Sequence, residues 1–281
     1  MEKQIATKEK AQSPALYQQD QTEIIRTDII VPYLVCAQGL SESVLQRKAQ
    51  LGDIVRSTNF EVVGSTDSPV DVIFLHYPKA NWIVEKKMGQ KFEYVRTEPR
   101  NAKNETDSWS FWCDEDGNEL PEQKKGAIEY RRVKQLIVFA ILVKDIAASN
   151  EELKKMDAGE LPDPSKALTP VLISFRSTSY KAGKEVCTFY SKAASMNIPM
   201  WKYALSIGNT LEKNDEGSFY VWKVDQNKPK PVSKDYLATV ERWVGIVSSG
   251  IGLQIHEAQE SSNENNAVAR PQIEKNIRDV C

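Results

Sequence analysis

Hydrophobic and polar positions alternate along this chain in short blocks more often than in long helical stripes, and the blocks predict a sheet-rich protein. Residues 29–35 read as an extended lead-in, because Pro32 argues against a helix there. SESVLQRKA (41–49) carries a serine cap and helical spacing, so a short helix is predicted. After Gly52 and Asp53, IVRSTNFEVVG reads as strand, turn, strand. VDVIFLHYPKANWIVEKK (70–87) reads as a buried strand, a break at Pro78 and a second strand carrying Trp82. In KFEYVRTEP (91–99), Phe92, Tyr94 and Arg96 share one parity and Glu93 and Val95 the other, which extends that sheet. IEYRRVKQLIVFAILV (128–143) starts basic and turns apolar over 136–143, a run of strand length.

Hydrophobicity falls over 100–126, which reads as a long loop, and 144–167 reads as a turn-rich insertion holding one short helix at 151–156. LTPVLISFR is a buried strand. The spacing over 178–196 predicts a helix despite Gly183, with Val186, Phe189 and Tyr190 inward and Lys181, Lys184 and Lys192 outward. MWKYALSIGNTLEKNDEGSFYVWKVD predicts a hairpin turning at 214–217, and 234–252 predicts a further amphipathic helix. Together these make an α+β chain, mainly antiparallel β. A single domain over 26–254, with insertions near 100–126 and 144–167, lies between a flexible N-terminal arm (1–25) and a flexible C-terminal tail (255–281).

Composition adds mostly exclusions. The chain has 281 residues, 41% hydrophobic and 27% charged, with a formal net charge of -2, so bulk charge does not advertise a nucleic-acid partner. A local basic face can still coexist with an acidic tail. Four cysteines without CxxC spacing and two histidines far apart argue against a zinc site and fit a reducing compartment. No apolar signal core or membrane-length segment is present, so a soluble cytoplasmic protein with no metal, cofactor or membrane partner is expected. GxSxG, HExxH and SxxK are absent, and an enzyme is not expected. Asp114, Glu115, Asp116 and Glu119 read as a solvated acidic turn, the glycine being misplaced for an EF-hand. Asp53, Asp71 and Glu93 as a metal-dependent nuclease set is the weakest reading, since carboxylates bordering strands are common.

The chemistry that remains is aromatic and basic. On the hairpin, Trp201, Tyr203, Leu205 and Ile207 alternate with Lys202, Ala204 and Ser206, while Phe219, Val221 and Lys223 alternate with Tyr220, Trp222 and Val224. Both faces carry large side chains, which one core cannot bury alone. Two readings stand: a two-sided sheet with an aromatic ladder, or an aromatic row that stacks bases at about 1–3 kcal/mol each, with Lys202 and Lys223 on the adjacent phosphates. In FRSTSYKAGK (175–184), Arg176, Lys181 and Lys184 beside small hydroxyl residues at a helix start make either a phosphate seat or plain N-capping by Ser177 or Thr178. GxxxxGK[ST] is absent, which argues against an NTP loop. Arg131 and Arg132 in EYRRVK read as a solvated strand end or as phosphate contacts. Trp82 with Lys79, Lys86 and Lys87 is a weaker aromatic-basic cluster.

Several blocks carry a family resemblance: VPYLVCAQGLSESV with LGDIVRS downstream, VIFLHYPKANWIVE, PVLISFRSTSYKAGKEV and MWKYALSIGNTLEKNDEGSFYVWKV. In these the chain resembles a group of bacteriophage proteins described as single-stranded DNA-binding proteins, departing from it at residues 35–40 and in a longer acidic loop around Asp114. The resemblance implies an OB-like barrel or curved sheet elaborated by helices and long loops. It also implies a role in phage DNA replication or recombination, in the host cytoplasm if the chain is phage-encoded. The expectation is sequence-tolerant single-stranded DNA binding. Trp201, Tyr203, Tyr220 or Trp222, with Trp82, would serve as platforms, and Arg131, Arg132, Arg176, Lys181, Lys184, Lys202 and Lys223 would lie along the backbone path. The tail, with Glu257, Glu260 and Glu264 and no cation before Arg270, is expected to compete for the groove, to recruit replication or recombination proteins, or to be a plain terminus. The alternative is a phage structural or assembly protein whose aromatic strands make subunit contacts, and a homo-oligomer is left open.

Overall fold

The computed structural model describes residues 31–89, 91–101, 104–106, 108, 110–120, 129–214 and 217–248. The expected arm at 1–25 and tail at 255–281 lie outside these residues. Among the described residues there are eleven strands and four helices, an α+β arrangement made mainly of strands.

The sheet is organised about β8 (Tyr130–Leu142). Leu136, Val138, Ala140 and Leu142 enter the core on one face of the sheet, and Ile137, Phe139 and Ile141 enter the core on the other. Burial on both faces is why this strand reads as an unbroken apolar run instead of an alternation. Each edge of β8 serves two strands. On one edge β5 (Lys79–Met88) pairs with its first half and β4 (Val70–Phe74) with its end. On the other edge are β7 (Ser110–Cys113) and β9 (Val171–Arg176). β4 and β5 are thus one line interrupted at Pro78, which has no N–H to give a ladder. The gap is bridged by Leu75 N donating to Phe139 O (3.0 Å) and by His76 Nε2 accepting from Phe139 N (3.1 Å).

Outward from β4 run β10 (Tyr203–Asn214) and β11 (Gly217–Pro231), a long hairpin. β6 (Lys91–Pro99) pairs with β5. Beyond β9 lie β1 (Tyr33–Cys36), β2 (Ile54–Arg56) and β3 (Val62–Gly64). The β1–β9 pair is parallel and the other strand pairs are antiparallel. The sheet curls into a half-barrel. One face packs Leu34, Ile54, Phe74, Val138, Phe175 and Trp222 against α3 (Tyr180–Ser195). The other face packs Ile73, Phe139 and Ile141 against Ile146 of α2 (Val143–Asp157) and Val240 and Val247 of α4 (Lys234–Ser248). Burying each such aromatic or branched side chain contributes about 1.5–3 kcal/mol.

Among the described residues the outer edge of β11 has no strand partner, yet its backbone is not left bare. Gln38, just past β1, gives its side-chain N–H to Tyr220 O (2.7 Å) and accepts from Tyr220 N through its side-chain carbonyl (2.9 Å). One amide side chain thereby reproduces the paired bonds of a strand residue. Two residues on, Trp222 N donates to Ser179 Oγ (3.1 Å). These bonds tie β11 to the segment after β1 and to the turn before α3.

Three sequence expectations change. The insertion at 144–167 holds a fifteen-residue helix, α2, where a short one at 151–156 was expected. Its Glu152 carboxylate accepts from Asp163 N (2.8 Å) and pairs with Lys155 (2.9 Å) and Lys166 (3.2 Å), so the following loop is folded back onto the helix. The helix over 41–49 is only α1 (Glu42–Leu45). The low-hydrophobicity stretch 100–126 contains a short strand, β7. Among the described residues no helix is long and apolar enough to cross a membrane.

Candidate nucleic-acid interface

The helix α3 follows β9 after a single turn (Ser177–Ser179) and packs against β8, β9 and β11. Tyr180, Ala182, Gly183, Val186, Phe189 and Ala193 are its buried residues. Gly183 is required by proximity: a Cβ there would lie 2.8 Å from Phe175 Cβ and 2.9 Å from Leu136 Cδ1. Its opposite face is exposed and carries Lys181, Lys184, Thr188, Ser191 and Lys192. The lysines recur at helical spacing, so they form one ridge over a rise of about 16 Å at 1.5 Å per residue.

β11 flanks this ridge on one side. Lys192 Nζ reaches Gln226 Oε1 (3.4 Å) on that strand. Lys223 is exposed there too, but its parity is opposite to that of Trp222 and Val224, so it projects from the face of the sheet away from α3 and the strand does not bring it to the ridge. The Met200–Lys202 turn follows the helix, with Lys202 Nζ 5.7 Å from the centroid of the Trp201 ring. Among the described residues, Lys181, Lys184, Lys192, Lys202 and Lys223 form no ion pair with a carboxylate. Glu185 is the one acid on α3. Neither Ser177 nor Thr178 caps the helix; the N-cap is Ser179, and its hydroxyl is committed to Trp222 N.

The arginines expected on the backbone path are engaged elsewhere. Arg131 Nε donates to Glu85 Oε2 (2.7 Å), and its guanidinium lies 3.5 Å from the Phe92 ring centroid. Arg132 pairs with Glu98 and packs against Gly117. Arg176 is 56% exposed and sits 3.6 Å from Glu85 Oε1. Neutralised in this way, Arg131 and Arg132 serve the β5–β6–β8 layer more than a polyanion.

The aromatic expectations change more sharply. Trp82 is 0% exposed. It stands edge-on to Phe111 (5.2 Å), gives its indole N–H to Asn104 O (3.0 Å), and has Arg100 and Lys134 as cationic neighbours in place of Lys79, Lys86 and Lys87. Trp222 is 8% exposed and belongs to the core that packs on α3. Neither ring has a free face for a base, because each strand directs that parity into the packed side of the sheet. Trp201 lies in a turn before β10, not in the strand, and packs half-buried on the core of the opposite face, with α2 and α4. Tyr203 is half-buried and edge-on to Phe189 (5.9 Å). Tyr220 is half-buried with its ring against Gly52, the residue whose φ of +83° and close approach leave no room for a side chain.

A different aromatic group gathers on the other flank of α3. Tyr77, at the β4–β5 break, is 48% exposed. Its ring centroid is 4.7 Å from that of Tyr190 at an interplanar angle of 60°, and its hydroxyl is hydrogen-bonded with Cys187. That bond, with partial burial, holds the phenol above its ordinary pKa, so it stays neutral in physiological buffers. Beside it, Lys184 Nζ lies 5.4 Å from the Tyr180 ring centroid, and Arg100 Nη1 donates to Tyr180 Oη (2.6 Å). The sequence signal was available in Tyr77-Pro78: a residue before proline at a strand break leaves the strand's facing rule.

Residues 160–250, which contain β9, α3, the β10–β11 hairpin and α4, match a family described as Pam3 phage gp34-like protein. That match supports a bacteriophage protein. No curated protein and no solved structure matches the chain.

Proposed function

We propose that this phage protein binds single-stranded DNA, without catalysis, along the lysine ridge of α3 and the adjoining edge of β11. It would act where phage DNA is replicated or recombined. The observation that carries the reading is the contrast in charge pairing: the sheet arginines are matched by Glu85 and Glu98, while Lys181, Lys184, Lys192 and Lys202 stand exposed with no carboxylate partner among the described residues. Cations held on a helix and a strand and left unneutralised suit a string of phosphates. The balance of the reading shifts from stacking on the hairpin towards phosphate neutralisation, since Trp82 and Trp222 are in the core.

The test is fluorescence anisotropy with labelled oligo-dT and with duplex across a salt series. With four lysines engaged, log K should fall against log salt with a slope of about -2.8, or roughly 50-fold between 50 and 200 mM salt. The Lys181→Gln/Lys184→Gln double variant should flatten that slope by about 1.4. Absence of binding to oligo-dT at 50 mM salt, or a slope that the double variant leaves unchanged, would sink the proposal.

One observation favours the assembly reading: Leu40, Leu45 and Leu51 are exposed close together in the chain, on the segment between β1 and β2. Exposed apolar groups of this kind mark contact surfaces. A chain that self-associates and ignores DNA would turn the balance that way.

A further inference from the structure

Tyr77 has the wrong surroundings for either ordinary fate of a tyrosine. A core ring would be buried, and this one is about half open. A loop ring would be unrestrained, and this one is braced by the Tyr190 ring and by a hydroxyl bond to Cys187. The bracing comes from α3, the same helix that carries the unpaired lysines. Pro78, itself buried, fixes the backbone next to Tyr77 and removes its neighbour's N–H from the ladder. Ordering entropy, the usual cost of holding a side chain against a ligand, has therefore already been met in folding. Lys184, on the helix that braces Tyr77, lies with its Nζ 5.4 Å from the Tyr180 ring centroid.

We infer that Tyr77, supported by Tyr190, is a stacking platform for an unpaired base of a single strand whose phosphates lie on the α3 ridge. The ligand class is single-stranded nucleic acid, because a duplex hides base faces inside its own stack. The ring offers a π-face and no base-edge reader, so any base fits. This inference rests on the DNA-binding reading and extends it from phosphates to bases.

The experiment compares oligo-dT with an abasic phosphodiester strand of equal length, which keeps the phosphates and lacks the bases. Wild type, Tyr77→Ala, Tyr77→Phe and Lys181→Gln/Lys184→Gln are measured side by side. Tyr77→Ala should lose about 5- to 150-fold of the oligo-dT affinity, with abasic binding and the salt slope unchanged. Tyr77→Phe, which keeps the ring and drops the Cys187 bond, should retain oligo-dT binding. The inference is overturned if Tyr77→Ala leaves oligo-dT binding intact, or if it weakens both strands equally. If the lysine variant weakens binding while Tyr77→Ala does nothing, the platform alone fails and the DNA reading stands. If wild type binds neither strand, both fall together.

Discussion

Replacing Gly183 with alanine asks whether α3 is pressed against the sheet as closely as the structure places it. Helix-interior glycine to alanine ordinarily stabilises, by about 1 kcal/mol, through backbone entropy. At Gly183 the new methyl would meet Phe175 Cβ at 2.8 Å, Leu136 Cδ1 at 2.9 Å and Phe175 Cγ at 3.1 Å. Carbon atoms rest at about 3.5–4.0 Å, so the overlap is well over half an ångström on two sides. The Leu136 methyl ends a flexible chain, but Phe175 Cβ is anchored to the backbone of β9, which is bonded to both β8 and β1. Overpacking of this kind costs about 1–3 kcal/mol, which cancels or exceeds the helix gain. Gly245 supplies an internal control, being in α4 with nothing within 4 Å of its would-be Cβ. Both substitutions share the entropy gain, so the difference between them isolates the steric cost. In thermal unfolding Gly245→Ala should raise Tm by about 2–4 °C, and Gly183→Ala should fall below it by about 2–12 °C. Equal stabilisation by the two alanines would refute the close approach. It would also loosen the argument that Tyr190 and Lys184 are held at fixed positions beside Tyr77.

Two further outcomes are expected. Glu152 is held at about 2, well below its ordinary range, by the Asp163 backbone N–H first and then by Lys155 and Lys166. A depressed folded pKa means the loop lock is fully present above the ordinary carboxylate value of about 4.3 and is lost as pH falls through the folded one. The Asp163 amide proton should therefore shift with a midpoint near 2 in an NMR titration, and Glu152→Gln should abolish the transition; a midpoint at the ordinary carboxylate value would contradict the lock. Burial pushes the Cys36 thiol up to about 12, against a hydrogen bond with Asn209, and the Cys113 thiol up to about 11. Neither should react with a thiol reagent at pH 8 until denaturant is added, and mass-spectrometric mapping of either as labelled in the native protein would speak against their burial.

Much of the framework was legible because hydrophobic period reports how many faces an element buries. The 136–142 run announced a central strand, and the inward Val186 and Phe189 with outward Lys181, Lys184 and Lys192 announced α3. The helix α2 was not legible because it presents little apolar surface. Among its described side chains Ile146 alone is a deeply buried apolar, and much of its hold comes from Glu152 and from Asn150 reaching Asp235 O (3.4 Å), contacts that no periodicity encodes. The facing of the hairpin aromatics was beyond reach for a different reason. Alternation places Trp222 opposite Lys223 but does not say which parity meets the core, and that is decided by the side of the sheet on which α3 packs. Arg131 and Arg132 looked free because Glu85 and Glu98 lie 46 and 34 residues away in sequence and become neighbours only through strand pairing. Tyr77-Pro78 marks a break in the strand's facing, but the partner that holds the ring, Tyr190, lies 113 residues on and meets it only through the packing of α3.

The Gln38 amide joins two backbone positions 182 residues apart. Closing so long a segment costs conformational entropy that grows only slowly with length, but it requires nearly every intervening strand to be in place first. The seam thus spans most of the described strands in sequence, from just after β1 to β11. It also ties the fate of β11, and with it one wall of the lysine ridge, to a segment near the start of the chain. A truncation at the front of the domain would in this way be felt at a surface that the removed residues never touch.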